Sequence, residues 1–291
     1  MPRQRVPDRL IAFCHIPKTA GVSLTYLIRR HFGLRHIDVG HRRVYLYLPR
    51  DLRSDLKLYP RARSLAGHPL RPYVDFEEFS DRMQWYTILR EPVSRYLSQY
   101  AYEVEKLGEK QAFDVWNVRD LGGRVNRQVR YLAGGDDLDA AKQILRERFR
   151  FVGLMEHFDQ SLLLLRRRLE LPGFRVDYRR PKNTASQRKG EIRKRIQDNF
   201  GNYRQWILEN NALDIQLYEY VKQEIWPRQV EEYGAEGLAS DMDTEFARGG
   251  PTFRERCRWW TACFYRNLVY RPFVKIDRRR SPPSPYPDPN C

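Results

Sequence analysis

The chain runs to 291 residues and carries 53 Lys and Arg against 37 Asp and Glu, a formal charge of +16. That length buries one large α/β domain or a domain with an extension, and the basic excess points to an acidic partner: a phosphosulfate donor, a polyanionic glycan or a nucleic acid. Cys14, Cys257, Cys263 and Cys291 form no C-x-x-C pair, which argues against a zinc site, and nothing in them demands an oxidising compartment.

Met1 to Arg9 is polar and no run of about eighteen apolar residues occurs, so neither a signal peptide nor a membrane span is expected. The first apolar run, Leu10 to Cys14, reads as a strand. It feeds His15-Ile16-Pro17-Lys18-Thr19-Ala20-Gly21-Val22-Ser23, after which Leu24, Leu27, Ile28 and Phe32 recur at helical spacing. Strand, short loop and helix make an anion cradle from backbone N–H groups, the helix macrodipole and one Lys. A Walker A loop reads G-x-x-x-x-G-K-[ST], and here no Gly precedes Lys18. Pro17 stiffens the entry, and Gly21 supplies a close backbone approach.

Val44 to Leu48 and Ser64 to Gly67 read as strands, and Trp85 to Leu89 as a stronger one. Pro92 suits the first turn of a helix, on which Val93, Tyr96, Leu97, Tyr100 and Val104 follow at three- and four-residue steps. Arg90 leaves the carboxyl end of the preceding strand, where open α/β sheets bind ligands. A helix over 138–149, a strand at Phe151 to Leu154 and a helix over 157–170 follow. A further helix spans 212–226, with Pro227 ending it. This alternation predicts an α/β fold like the nucleotide (P-loop) kinases: a mostly parallel central sheet with helices on both faces. Residues 1–227 form that domain. The Glu-, Gly- and Asp-rich stretch 228–250 reads as a linker. Residues 251–275 are an aromatic and basic extension, read as a helix packed on the domain or as a peripheral membrane contact, and 276–291 are a Pro-rich tail.

The order Pro17-Lys18-Thr19-Ala20-Gly21-Val22-Ser23 resembles the 5′-phosphosulfate loop of sulfotransferases that use 3′-phosphoadenosine 5′-phosphosulfate (PAPS). The likeness is to the family of heparan sulfate 2-O-sulfotransferase and its bacterial cousins, whose loop reads I-P-K-T-A-G-T-S. Val22 stands where Thr is usual. Arg90 to Tyr100 matches that family's 3′-phosphate motif, R-x-P-x-x-R-x-x-S-x-Y, at every fixed position. The resemblance implies a sulfotransferase fold in which Lys18, Thr19, Ala20, Gly21, Val22, Ser23 and Leu24 hold the donor's 5′ end. Arg90 and Ser98 would clamp its 3′-phosphate, a guanidinium and a hydroxyl on a fixed anion. Arg188-Lys189-Gly190 looks like the triplet with which cytosolic sulfotransferases close over the same phosphate. Asn126 to Gly134 and Phe151 to Glu156 also resemble the bacterial members.

Sulfuryl transfer needs a base for the acceptor, and six His compete: His15, His31, His36, His41, His68 and His157. His68 ends a candidate strand in Gly67-His68-Pro69. Related glycan sulfotransferases carry a Gly-His at this point and use the His as base, while His15 reads as a structural contact. Lys18 would neutralise charge on the leaving phosphate, with no metal required. The implied activity is transfer from PAPS to a hydroxyl, or less readily an amine, of a carbohydrate or glycolipid, releasing 3′-phosphoadenosine 5′-phosphate (PAP). A kinase using ATP and Mg²⁺, or a basic nucleic-acid-binding protein, is the alternative. Eukaryotic relatives usually carry an N-terminal anchor. Its absence implies a cytoplasmic, bacterial enzyme, or a chain from which an anchor has been removed.

Overall fold

The computed structural model describes residues 9–42, 45–106, 124–178, 200–201, 203–246 and 250–280. Its centre is β1 (Leu10–Cys14), buried at all five positions, as a strand covered on both faces must be. Around it lie β2 (His36–Asp38), β3 (Ser64–Gly67), β4 (Met83–Leu89) and β5 (Phe149–Leu154) in the order β2-β3-β1-β4-β5. All four pairings are parallel. The chain leaves β1 toward β2 in one direction and later reaches β4 and β5 in the other. Right-handed crossovers therefore place helices on both faces, and the loops after β1, β3 and β4 open onto one edge of the sheet. The expected α/β architecture holds.

Several local readings change. Tyr45 to Leu48 form no strand; Val44 lies outside the described residues. After α1 (Gly21–Phe32), the second helix α2 (Pro49–Leu58) starts directly after the place where that strand was expected. Pro49 opens it and the Asp51 carboxylate accepts the Leu48 N–H (2.9 Å), so a capped turn wins over a short apolar run. The neighbouring strand is instead β2, too short and too polar (His-Ile-Asp) to announce itself.

The helices α3 (Pro92–Lys106), α4 (Arg127–Ala133), α5 (Leu138–Arg148) and α6 (Phe158–Arg168) come next, then α7 over 203–210. Pro227 does not end the helix that follows. α8 (Ala212–Tyr220) passes through a π turn (Val221–Ile225) into α9 (Trp226–Tyr233), and Pro227 sits in the first turn of α9. There the regular ladder is already interrupted, so a missing N–H costs little. The stretch read as a linker carries the end of α9 and then α10 (Ala235–Phe246). Leu238, Met242 and Phe246 recur at helical spacing and join the core, a narrow stripe hidden in a polar composition. Finally α11 (Phe253–Tyr265), a second π turn (Arg266–Tyr270) and α12 (Arg271–Arg280) follow, with α11 packed on α1. The tail from 281 lies outside the described residues.

Candidate active site

The loop leaving β1 is held in an unusual shape. Lys18 and Ala20 both adopt left-handed backbone, with φ of 70° and 64°. That conformation costs a residue with a Cβ about 1–2 kcal/mol, so the surroundings impose it. Thr19 pins the loop from within: its buried hydroxyl donates to the Ile16 carbonyl (2.9 Å). Ala20 begins α1 with no side-chain cap, and the first helical bond runs from the Leu24 N–H to the Ala20 carbonyl (3.3 Å). The N–H groups of Gly21, Val22 and Ser23 thus precede the ladder and present the positive end of the helix. Leu24 contributes only backbone, since its side chain is core, while Val22 is 81% exposed.

Gly21 has, beside the expected approach to an anion, a second reason to be glycine. A Cβ there would lie 1.6 Å from Nε2 of His15, whose ring fills the space beneath the helix start. His15 stacks on Phe13 on one side (5.2 Å between centroids) and on His68 on the other (4.1 Å). Its structural reading is therefore correct, and it orients a second histidine.

His68 Nδ1 stands 2.7 Å from the His15 carbonyl oxygen. A carbonyl only accepts, so Nδ1 carries the hydrogen, and in the neutral ring Nε2 keeps a bare lone pair. The residue is exposed to solvent. Desolvation of the ring lowers its pKa below the usual 6.5; the bond to His15 opposes this, and the charges of Arg71 and Arg127 add to the lowering.

Arg90 reaches the same loop from β4. Its Nη1 donates to the Lys18 carbonyl (3.2 Å). Gln128 at the start of α4 clamps the Arg90 backbone from both sides, accepting its N–H and donating to its carbonyl, each at 2.9 Å. The Lys18 ammonium lies 4.2 Å from the centroid of Tyr102. Tyr102 is one turn beyond Ser98 on α3, so Ser98 shares the face turned toward Lys18. Arg95, the motif's other arginine, is fully buried 3.9 Å from Asp214 and belongs to the scaffold. Arg130 is held by Asp136 (2.5 Å). Arg188, Lys189 and Gly190 lie outside the described residues.

Beside the loop, past the end of β5, opens a cleft of about 560 Å³ lined by Ala20, Ser23, Glu156, His157, Tyr178 and Met242. Glu156 is fixed there, accepting from the Glu91 N–H (3.0 Å) and the Tyr218 hydroxyl (2.7 Å). Among the described residues no three His, Cys, Asp or Glu side chains gather as a metal-ligating group. Sequence reasoning missed Gln128, Tyr102 and the cleft. The first and last had a signal, since Asn126 to Gly134 and Phe151 to Glu156 stood out without an assigned task.

The model of the galactose-3-O-sulfotransferase family matches residues 116–283, more than half of the chain. The chain belongs to this family. No curated protein matches the chain significantly. The galactose-3-O-sulfotransferases are carbohydrate sulfotransferases, which require an activated sulfate donor such as PAPS. The matched stretch takes in α4 with Gln128, β5 and, of the cleft residues, Glu156, His157, Tyr178 and Met242. It begins beyond Lys18, His68, Arg90 and Ser98, whose relation to one another rests on the geometry above.

Proposed function

We propose that this chain moves the sulfuryl group of PAPS to a hydroxyl of a saccharide or glycolipid, with His68 as general base. The observation that carries the reading is convergence: His68 and Arg90, from β3 and β4, bond two carbonyls of one loop, those of His15 (2.7 Å) and Lys18 (3.2 Å). That His68, Arg90 and the loop of Lys18 meet from three strands supports reading them as base, second cation and anion cradle.

The residues present fit a doubly phosphorylated nucleotide. Lys18 and the N–H groups of Gly21, Val22 and Ser23 suit the 5′ end, Arg90 and Ser98 the 3′-phosphate, and the adjoining cleft of about 560 Å³ suits the nucleoside. Arg188, Lys189 and Gly190 are proposed to close over the 3′-phosphate. His68 Nε2 takes the proton of the acceptor hydroxyl, and that oxygen bonds sulfur as the bond from sulfur to the 5′-phosphate oxygen breaks. Lys18 and the start of α1 meet the negative charge that gathers on the phosphate.

Transfer from ³⁵S-labelled PAPS to a panel of glycans and glycolipids tests this. His68→Ala is expected to lower kcat by about 10²–10⁴-fold, the usual worth of a positioned base, while PAP still raises the melting temperature. Lys18→Ala should damage both. Normal turnover by His68→Ala would remove the base assignment. A thermal shift with ATP and Mg²⁺ but none with PAP would remove the donor.

A further inference from the structure

From Phe253 to Arg280 the chain is one helical segment in which α11 and α12 are joined by a π turn. Its inner face is occupied. Glu255 pairs with Arg30 (3.4 Å), Trp259 packs edge-on against Tyr26 (6.4 Å), and Arg266 bonds Asp38 (2.8 Å). The outer face is apolar: Phe253, Trp260, Phe264, Leu268 and Ile276 are 73, 66, 69, 58 and 53% exposed.

This face is continuous because of the π turn. From Trp260 onward its members fall at multiples of four residues, and on an α-helix each step of four overshoots a full turn by about 40°. The stripe would wind around the helix and into the core. The wider turn at Arg266–Tyr270 takes up part of the excess, and Leu268 and Ile276 stay exposed with Trp260 and Phe264.

Charge decides what covers the stripe. Arg254, Arg256, Arg271 and Lys275 are exposed beside it, and the one acidic residue between 253 and 276, Glu255, is turned inward. A second copy would set these cations against themselves. A nucleic acid would answer the cations and leave Leu268 and Ile276 in water. An anionic bilayer surface satisfies both, with apolar side chains entering the acyl boundary and cations meeting headgroup phosphates. Among the described residues no helix is long and apolar enough to cross a membrane.

We propose that the outer face of Phe253–Ile276 docks this protein, lying flat, on an anionic lipid surface. Because α11 packs on α1, the docked side is a helical layer, leaving the strand ends with Lys18, His68 and Arg90 uncovered. The proposal does not depend on the donor or acceptor assignment.

Flotation of the full chain with vesicles tests it, using phosphatidylcholine alone and phosphatidylcholine with roughly a third phosphatidylglycerol. Expected is at least about tenfold stronger binding to the anionic vesicles, weakened by salt. Phe264→Glu with Leu268→Glu should abolish it, with the melting temperature unchanged since both side chains lie outside the core. Arg271→Glu with Lys275→Glu should weaken it without removing apolar area. Absent flotation, equal binding to both vesicles, or stripe variants that only dissociate a dimer and bind vesicles as before would overturn the proposal.

Discussion

The proposed role of His68 as base rests on one carbonyl. The bond to His15 fixes which nitrogen is bare, and the low pKa set by burial, Arg71 and Arg127 keeps that nitrogen unprotonated below the usual 6.5. A base must be neutral to act, so kcat/KM should hold steady on acidification past 6.5 and fall only at lower pH. Arg71 is buried, with its guanidinium carbon 3.2 Å from the centre of the Tyr131 ring. Removing its charge in Arg71→Gln takes away one repulsion on protonated His68, so the acid limb of the profile should move to higher pH. A limb that stays in place would show that Arg71 does not tune the base. Gly21→Ala tests the support beneath. With a Cβ 1.6 Å from His15 Nε2, either the helix start or the imidazole must move, and overpacking of this kind costs about 1–3 kcal/mol. A urea midpoint equal to wild type would disprove that contact.

At the scale of elements, the Arg90 site is held by two helices that cap each other. Asp214 in α8 accepts the N–H groups of Gln128 (3.1 Å) and Val129 (2.9 Å), while Asn126 before α4 accepts those of Leu213 (3.1 Å) and Asp214 (3.3 Å). Burial lifts the Asp214 carboxyl above its usual range and lowers Arg95 to about 10, yet each charge is the other's counter-ion. Asp214→Ala leaves Arg95 buried and uncompensated and should cost about 3–5 kcal/mol by denaturant unfolding. It should also loosen Gln128 and with it Arg90, weakening PAP binding. A loss below 1 kcal/mol would reject this account. The same pair shows what a sequence can and cannot disclose. Leu10 to Cys14 was legible because a strand covered on both faces is apolar throughout, and Lys18 to Leu24 and Arg90 to Ser98 because each is a local pattern after a strand. Gln128 and Asp214 are 86 residues apart, so neither cap signals its partner. β2 and α10 were lost for compositional reasons, one too polar and short, the other apolar on a single narrow stripe.

Across the whole molecule, the buried Asp55 carboxylate is one of the groups that tie the C-terminal helices to the domain. Asp55 in α2 accepts from the hydroxyls of Tyr47 and Tyr270, each at 2.8 Å, and from Arg42 at 2.6 Å. Arg42 in turn bonds Asp277 in α12 (2.7 Å). Burial raises the Asp55 carboxyl above its usual range, and these donors counter that cost. A segment bonded this way should unfold with the sheet rather than as an appendage. Tyr270→Phe removes one donor to a charged acceptor, worth about 1.5–3 kcal/mol, and should lower the melting temperature by several degrees at a chain of this size. Hydrogen exchange of the amides of 253–280 and of those of β1, followed across the transition, should still rise together, displaced by the same amount. If the amides of 253–280 exchanged first while those of β1 held at the wild-type midpoint, residues 253–280 would be an independent unit, and Asp55 would not help to join them to the domain.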